Sequence, residues 1–206
     1  LQAGKNLAGA FYQPKAVFID TDLLATLPVR FLHDGLAEAI KYGCIKDAAL
    51  FEKLAGFASD AELLHDIGSV VASCCAIKAR IVEQDEFDTG LRMLLNFGHT
   101  LGHAIEQHFG YSHFTHGEGV AIGMYQLTRR TEAMGLTAPG TAERIKNVLL
   151  QYGLPLTAGV DKSLLLDAMA RDKKKNGSSI TLIVLKNIGE GTLRKLEWQQ
   201  VPEYLG

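Results

Sequence analysis

Two histidines spaced four residues apart carry the strongest chemical signal in the sequence. His99 and His103 lie in the segment NFGHTLGHAIE, and residues four apart project from the same face of an α-helix. Imidazoles about 6 Å apart can share a divalent metal, or one can bind the metal while the other transfers a proton. The alternative is a pair of solvated surface histidines. Taken alone, the spacing favours a site to which both His99 and His103 contribute ligands.

A third imidazole and one carboxylate extend this candidate site. His116 opens the segment HGEG, where a return of the chain can bring it beside His99. Glu38 lies in the otherwise apolar segment GLAEAI, and a buried glutamate is rarely without a partner. Three such ligands with one open position form a catalytic zinc site, whereas a simple ion pair of Glu38 with Lys41 is the alternative. The residues alone leave two ligand sets open: His99 with His103, or His99 with His116 and Glu38, while His103 faces the substrate.

Basic side chains recur near these residues and predict an anionic ligand. Arg92 and Asn96 precede the two histidines at helical spacing, so one continuous helix would place a guanidinium beside the candidate metal site. Lys41 and Lys78 add positive charge, as does the lysine run at residues 173–175. A solvated turn is the alternative for this run. Together the cations favour a substrate that carries carboxylate or phosphate groups.

The segments that must position these residues have mainly helical patterns. The long helical segments are residues 32–53, 60–85, 91–109 and 116–134, and the shorter ones are residues 141–152 and 162–171. The apolar residues 14–20 predict a short strand that needs a partner from elsewhere. Residues 179–185 and 191–196 flank a glycine turn and predict a hairpin. The expected fold is therefore mainly α, with a short N-terminal strand and a C-terminal β-hairpin.

The composition excludes several classes of protein. The 206 residues carry a formal net charge of -2 with basic and acidic residues interspersed, so we expect no nucleic acid and no anionic membrane as partner. No apolar run approaches the ~20 residues that a membrane span requires. Three cysteines without a clustered thiol motif indicate reduced thiols in a cytoplasmic protein. The chain begins with Leu1 instead of Met, which leads us to expect a piece of a longer protein.

Five separated motifs resemble 3-dehydroquinate synthase in order and spacing. They are GKNLAGAFYQP, TLPVRFLHDGLAEAIKYG, LRMLLNFGHTLGHAIE, HGEGVAIGM and DKKKNG. The resemblance implies an N-terminal nucleotide-binding α/β domain, followed by a mainly helical C-terminal domain that carries the metal. Residues 1–30 would then be a connecting segment at the edge of the absent nucleotide-binding domain, and residues 31–206 would form the helical domain. The sequence contains no G-x-G-x-x-G after a strand, in agreement with an absent cofactor domain.

The resemblance also implies a role for particular residues. Zinc, or cobalt in its place, would be held by Glu38, His99 and His116, which overrules the preference from spacing for His103 as a ligand. The implied catalytic residues are His103, Lys41 and Asn6. The implied substrate-binding residues are Lys78, Arg92, Asn96 and one of Lys173 and Lys174. The implied NAD contacts are Lys5, Leu23, Leu24, Ala25 and Thr26.

The implied activity is that of an NAD- and zinc-dependent carbon-oxygen lyase of aromatic amino acid biosynthesis. Such an enzyme converts 3-deoxy-arabino-heptulosonate 7-phosphate to 3-dehydroquinate with loss of phosphate. The resemblance also implies that the whole enzyme is a cytoplasmic homodimer. The chain alone is expected to be inactive, because most of the NAD site would lie in the absent domain. The alternatives are a related sugar-phosphate cyclase, a metal-dependent alcohol dehydrogenase, and a non-catalytic helical binding or scaffolding module.

Overall fold

A bundle of helices with one β-hairpin forms the structure, which is a computed structural model that describes residues 12, 14–87, 90–161, 163–166 and 179–205. The α-helices are α1 (Val29–Lys46), α2 (Ala48–Gly56), α3 (Asp60–Gln84), α4 (His99–His108), α5 (His116–Ala133), α6 (Thr141–Gln151) and α7 (Val201–Leu205). Short 3-10 helices span Thr21–Thr26, Leu91–Asn96 and Trp198–Gln200. Strands β1 (Ser179–Asn187) and β2 (Glu190–Glu197) pair antiparallel. The prediction of a mainly α fold with a C-terminal hairpin is confirmed.

Helix α1 lies at the centre of the core. Its buried residues occupy nearly the whole circumference of its second half, from Leu36 to Ile45, and it packs against α2, α3, α5 and the hairpin. Ile40 and Ile45 are fully buried, and each such side chain contributes about 1.5–3 kcal/mol through burial. A polar residue on this part of α1 is therefore enclosed by several elements at once.

The predicted helix over residues 32–53 is wrong as a single element, because it divides at Asp47. This residue has an extended backbone with φ of −147°, and its Oδ1 accepts a hydrogen bond from the Leu50 N–H at 3.0 Å. The side chain thereby satisfies a free amide at the start of α2. The same aspartate ends α1 and caps α2.

The predicted helix over residues 91–109 is also wrong in its first half. Leu91–Asn96 forms a 3-10 helix, and α4 begins only at His99. Between them Gly98 has φ of +78°, in the left-handed region that favours glycine. The chain changes direction there, so residues before Gly98 do not continue the helical faces of α4.

The predicted N-terminal strand is not formed within the described part of the chain. Residues 14–20 have no strand partner there, and Val17 and Phe18 are 69% and 95% exposed. A strand requires hydrogen bonds from a neighbouring strand, and none of the described residues supplies them. Of the predicted helix over residues 162–171, residues 163–166 are helical and the rest lies outside the described residues.

None of the described helices is both long enough and apolar enough to cross a lipid bilayer.

Candidate metal centre

Three side chains from different helices converge on one point. Glu38 comes from the centre of α1, and His99 and His116 are the first residues of α4 and α5. The Oε1 atom of Glu38 lies 3.3 Å from His99 Nε2 and 3.8 Å from His116 Nε2. One ligand atom from each residue lies within 4.8 Å of the other two. The structure thus brings together the carboxylate and the two imidazoles of the ligand set that the sequence motifs imply.

The atoms that face this point are hydrogen-bond acceptors. His99 Nδ1 lies 3.1 Å from the Phe97 carbonyl oxygen, which can only accept, so Nδ1 carries the proton and Nε2 presents its lone pair to Glu38. Glu38 Oε1 is buried and has no hydrogen-bond partner among the described residues. A buried carboxylate oxygen without a donor is costly. A cation between these atoms would remove that cost, so the donor set fits a divalent metal.

A buried lysine completes the electrostatics of the site. Lys41 is 2% exposed, and its Nζ donates to Glu38 Oε2 at 2.7 Å. Burial lowers the pKa of Lys41, and the charge of Lys78 adds to this, while Glu38 opposes it. Burial also lowers the pKa of His99 to about 4, with the nearby Lys41 charge as the next cause. His99 is therefore neutral at physiological pH, which is the form that binds metal.

Glycines allow α4 and α5 to approach closely enough for the two histidines to meet. A Cβ atom on Gly123 would lie 2.0 Å from the Gly98 carbonyl oxygen, and one on Gly102 would lie 3.0 Å from the Gly119 carbonyl carbon. Any larger residue at position 123 would therefore force α5 away from the start of α4. These glycines explain the repeated glycine in the motifs around His99 and His116.

The start of α5 is held by α1. Asp34 Oδ1 accepts from the Glu118 N–H at 3.1 Å, and Arg30 forms two bonds of 2.8 Å to the Glu118 carboxylate. Thr115 and Glu118 form a capping box around the same turn. Asp34 and Glu38 lie four residues apart on one face of α1. The helix that carries Glu38 therefore also fixes the position of His116.

The remaining predicted residues divide into four groups. His103 joins the cluster, since its ring lies 5.4 Å from that of His99 and 5.8 Å from that of His116. Lys78 is exposed on α3, with its charge acting on Lys41. The NAD-contact residues Leu23, Leu24, Ala25 and Thr26 lie in the 3-10 helix Thr21–Thr26. Lys5, Asn6, Lys173 and Lys174 lie outside the described residues.

The prediction that Arg92 and Asn96 share a helical face with the histidines is wrong. Both lie in the 3-10 helix before Gly98. The Arg92 guanidinium donates to the Glu86 carbonyl oxygen at 2.6 Å, and Asn96 lines a small cavity with Leu182 and Leu205. The change of direction at Gly98 is the physical reason, because it separates the two short helices.

Four residues near the site were not identified from the sequence. Arg30, Asp34 and Glu118 hold the start of α5, and Glu106 Oε2 lies 3.3 Å from His116 Nδ1. Glu106 is 5% exposed within the apolar side of α4. A lone acidic residue three positions after His103, directly following the apolar Ala104 and Ile105, is the signal that would have indicated it.

The fold of the chain is similar to those of two solved synthases. It is similar to 2-epi-5-epi-valiolone synthase from Streptomyces hygroscopicus, whose structure has NAD+ and Zn2+ bound, with a TM-score of 0.82 and 24% identity over all of this chain and 58% of that one. A 2-deoxy-scyllo-inosose synthase complexed with carbaglucose-6-phosphate, NAD+ and Co2+ also has a TM-score of 0.82 and 24% identity, over all of this chain and 60% of that one. At this identity the likeness concerns the fold.

Curated relatives are closer in sequence. The 3-dehydroquinate synthase of Clostridium acetobutylicum is 50% identical over all 206 residues, and that of Enterococcus faecalis is 39% identical over 202 residues. The chain spans 58% and 56% of the length of these two proteins. A family model described as 3-dehydroquinate synthase N-terminal matches residues 1–34. Since the model described as 3-dehydroquinate synthase C-terminal matches residues 35–175, well over half of the sequence, the chain belongs to the 3-dehydroquinate synthase family.

Proposed function

We propose that the chain is the metal- and substrate-binding part of a 3-dehydroquinate synthase. The whole enzyme would convert 3-deoxy-arabino-heptulosonate 7-phosphate to 3-dehydroquinate with loss of phosphate, as a cytoplasmic homodimer in aromatic amino acid biosynthesis. One observation carries this proposal: in a chain of this family, the buried Glu38 Oε1 faces His99 Nε2 and His116 Nε2 and has no hydrogen-bond donor among the described residues. A divalent cation at this point would satisfy that oxygen, and the proposed reaction uses such a cation.

Glu38, His99 and His116 would hold zinc, or cobalt in its place. When bound, such an ion supplies Lewis-acid chemistry that makes a coordinated hydroxyl more acidic. The orphaned carboxylate oxygen and the neutral His99 imidazole support this ligand set. The related cyclase structures with Zn2+ or Co2+ support the choice of metal by analogy.

The other residues of the site would bind the substrate and NAD. Lys41 presents a buried ammonium beside Glu38 and would orient a substrate oxygen, while the exposed Lys78 would bind an anionic group. The ring of His103 lies 5.4 Å from that of His99 and 5.8 Å from that of His116, and His103 would transfer a proton. Arg92 and Asn96 would bind the substrate once Arg92 leaves the Glu86 carbonyl. Asn6 and one of Lys173 and Lys174 would complete the substrate site, and Lys5 with residues 23–26 would contact NAD.

Zinc titration of the purified chain tests the ligand set. We expect Glu38→Ala, His99→Ala and His116→Ala each to weaken zinc binding by more than the roughly 10- to 100-fold that loss of an outer partner costs. His108→Ala is the matched control, because His108 is an exposed residue at the end of the same helix as His99. Unchanged affinity in the three ligand variants would contradict the assignment and favour a non-catalytic helical module.

Substrate recognition and turnover need separate measurements. We expect the zinc-loaded chain to bind the seven-carbon sugar acid phosphate more tightly than a sugar phosphate without a carboxylate, because the site is rich in cations. Equal binding would favour the related sugar-phosphate cyclases.

We further expect the chain alone to release no phosphate from the substrate with NAD and zinc, since it spans 58% of its relative from Clostridium acetobutylicum. Turnover by the chain would contradict this.

A further inference from the structure

Glu106 is a buried carboxylate whose partner is one of the proposed zinc ligands. Its side chain is 6% exposed, and its neighbours Ala104 and Ile105 on α4 are buried apolar residues. An ionised carboxylate in such surroundings requires a hydrogen-bond donor. The contact of 3.3 Å between Glu106 Oε2 and His116 Nδ1 supplies one.

The two ring nitrogens of His116 face two different carboxylates. Nδ1 lies against Glu106, whereas Nε2 lies 3.8 Å from Glu38 Oε1. A neutral imidazole carries one N–H, and an ionised carboxylate only accepts. The shorter contact is the one to Glu106, so the proton belongs on Nδ1 and the Nε2 lone pair faces Glu38. His99 has the same arrangement, with the Phe97 carbonyl in place of Glu106.

We propose that Glu106 is a positioning residue that holds His116 in its Nδ1–H tautomer, with Nε2 directed towards Glu38 and His99. This inference rests on the proposed function, because it gives His116 the form required of a zinc ligand. Metal-binding histidines generally donate their second N–H to a carboxylate or a carbonyl, which orients the ring and raises its basicity. The Nδ1–H groups of the two ligand imidazoles thus donate to two different acceptors. His116 donates to the Glu106 side chain, and His99 donates to the Phe97 backbone carbonyl.

A competing arrangement uses the same atoms differently. His103, Glu106 and His116 also offer ligand atoms within 4.8 Å of one another, so an ion could bind among them through His116 Nδ1. That position would leave the buried Glu38 Oε1 without a cation. It would also take an exposed imidazole, that of His103, in place of the less exposed His99. The position between Glu38 and the two Nε2 atoms is therefore favoured.

Nitrogen-15 NMR of the histidine rings tests the proposal without any metal. In the metal-free wild-type chain we expect His116 to show the Nδ1–H tautomer. In Glu106→Ala we expect a shift towards the Nε2–H tautomer, because Glu38 is then the remaining acceptor, while His99 keeps its signature. Glu106→Gln retains an acceptor oxygen and should largely keep the wild-type tautomer. A His116 tautomer that is the same in wild type and Glu106→Ala would overturn the proposal.

Zinc affinity provides the second measurement. We expect Glu106→Ala to weaken binding about 10- to 100-fold, with partial recovery in Glu106→Gln. Glu132→Gln is the control: it neutralises a carboxylate on α5 that accepts from the Gly140 and Ala142 amides and contacts no histidine. Abolished binding in Glu106→Ala together with unchanged binding in Glu38→Ala would place the ion among His103, Glu106 and His116, and would overturn the proposal.

The two measurements separate this proposal from the proposed function. If the wild-type chain binds no zinc but its His116 tautomer depends on Glu106, the proposed metal site fails and the positioning role stands. If zinc binding depends on Glu38, His99 and His116 while Glu106 variants change neither affinity nor tautomer, the positioning role fails and the metal site stands.

Discussion

Lys41 donates to one oxygen of the Glu38 carboxylate at 2.7 Å, while the other oxygen of that carboxylate faces the two histidines. The two residues lie three positions apart on α1, with Lys41 almost fully buried. Glu38 thus balances the charge of a buried ammonium on one side, and on the other side it presents an acceptor to which no described residue donates. A cation at the acceptor side would compete with Lys41 for the same negative charge.

This coupling predicts how Lys41 titrates. Burial lowers the pKa of Lys41, and the Glu38 charge and hydrogen bond partly restore it. We therefore expect Glu38→Gln to lower the Lys41 pKa further, as followed by NMR titration of its ε-carbon in the metal-free chain. Glu52→Gln is the control, since Glu52 pairs with Arg144 instead. An unaltered Lys41 titration in Glu38→Gln would show that the two groups are not coupled.

The glycine contacts between α4 and α5 predict opposite effects for two similar substitutions. A Cβ at Gly123 would lie 2.0 Å from the Gly98 carbonyl oxygen, so we expect Gly123→Ala to cost at least about 1–3 kcal/mol of unfolding free energy. A Cβ on Gly35 of α1 would meet no described atom within 4 Å beyond its own stretch of helix, so Gly35→Ala should stabilise the chain by about 0.5–1 kcal/mol. Urea denaturation measures both. Equal effects would contradict the packing of the two helices.

The contact from α1 to the start of α5 predicts a link between helix capping and zinc binding. Asp34→Ala removes the acceptor for the Glu118 N–H and should cost about 1 kcal/mol of stability. We also expect about ten-fold weaker zinc binding, since His116 lies two residues before Glu118. Ser59→Ala removes a comparable cap from α3, and it should reduce stability without changing zinc affinity. Equal zinc affinity in both variants would contradict this link.

Tyr152 predicts a pH-dependent contribution to stability. Its hydroxyl donates to the Leu54 carbonyl oxygen at 2.6 Å, and burial raises its pKa to about 12. The ordinary value is 10.0, so the unfolded chain loses this proton first as the pH rises. The contribution of Tyr152 is therefore fully present below pH 10 and is lost progressively as the pH rises towards about 12.

The test compares Tyr152→Phe with the wild type. At pH 7 we expect the variant to be less stable by about 1 kcal/mol, from loss of the hydrogen bond. This difference should shrink when urea denaturation is repeated above pH 10. Tyr111→Phe, at a position that is 63% exposed, should match the wild type throughout. A difference between Tyr152→Phe and wild type that does not change with pH would contradict the prediction.

The sequence predicts the helices over residues 60–85 and 116–134 and the hairpin well, because their apolar periodicity reflects the face that each buries. It fails at Gly98, since the left-handed turn there follows from the close approach of α5, which periodicity does not contain. Residues 14–20 have the apolar pattern of a strand that needs a partner from elsewhere, and none of the described residues supplies one. The failure at Gly98 concerns a contact between distant parts of the chain.

The candidate site shows the same division. Spacing alone favoured His99 with His103, because positions four apart are neighbours on any helix. The convergence of Glu38 with His116 depends on how α1 packs against α5. The residues alone leave that ligand set open as an alternative, and only the resemblance to a family favours it. Glu106 went unnoticed because its role appears only once His116 lies beside it.

The attachment of the start of α5 to α1 has a consequence for how the chain can vary in length. Asp34 and Arg30 hold the first turn of α5 directly, so residues 109–115 need only bridge the gap from α4. Insertions in that bridge should leave His116 in place. Insertions between Asn96 and His99 would instead rotate α4 and carry its first histidine away. Evolutionary length changes are therefore expected after the fourth helix and not before it.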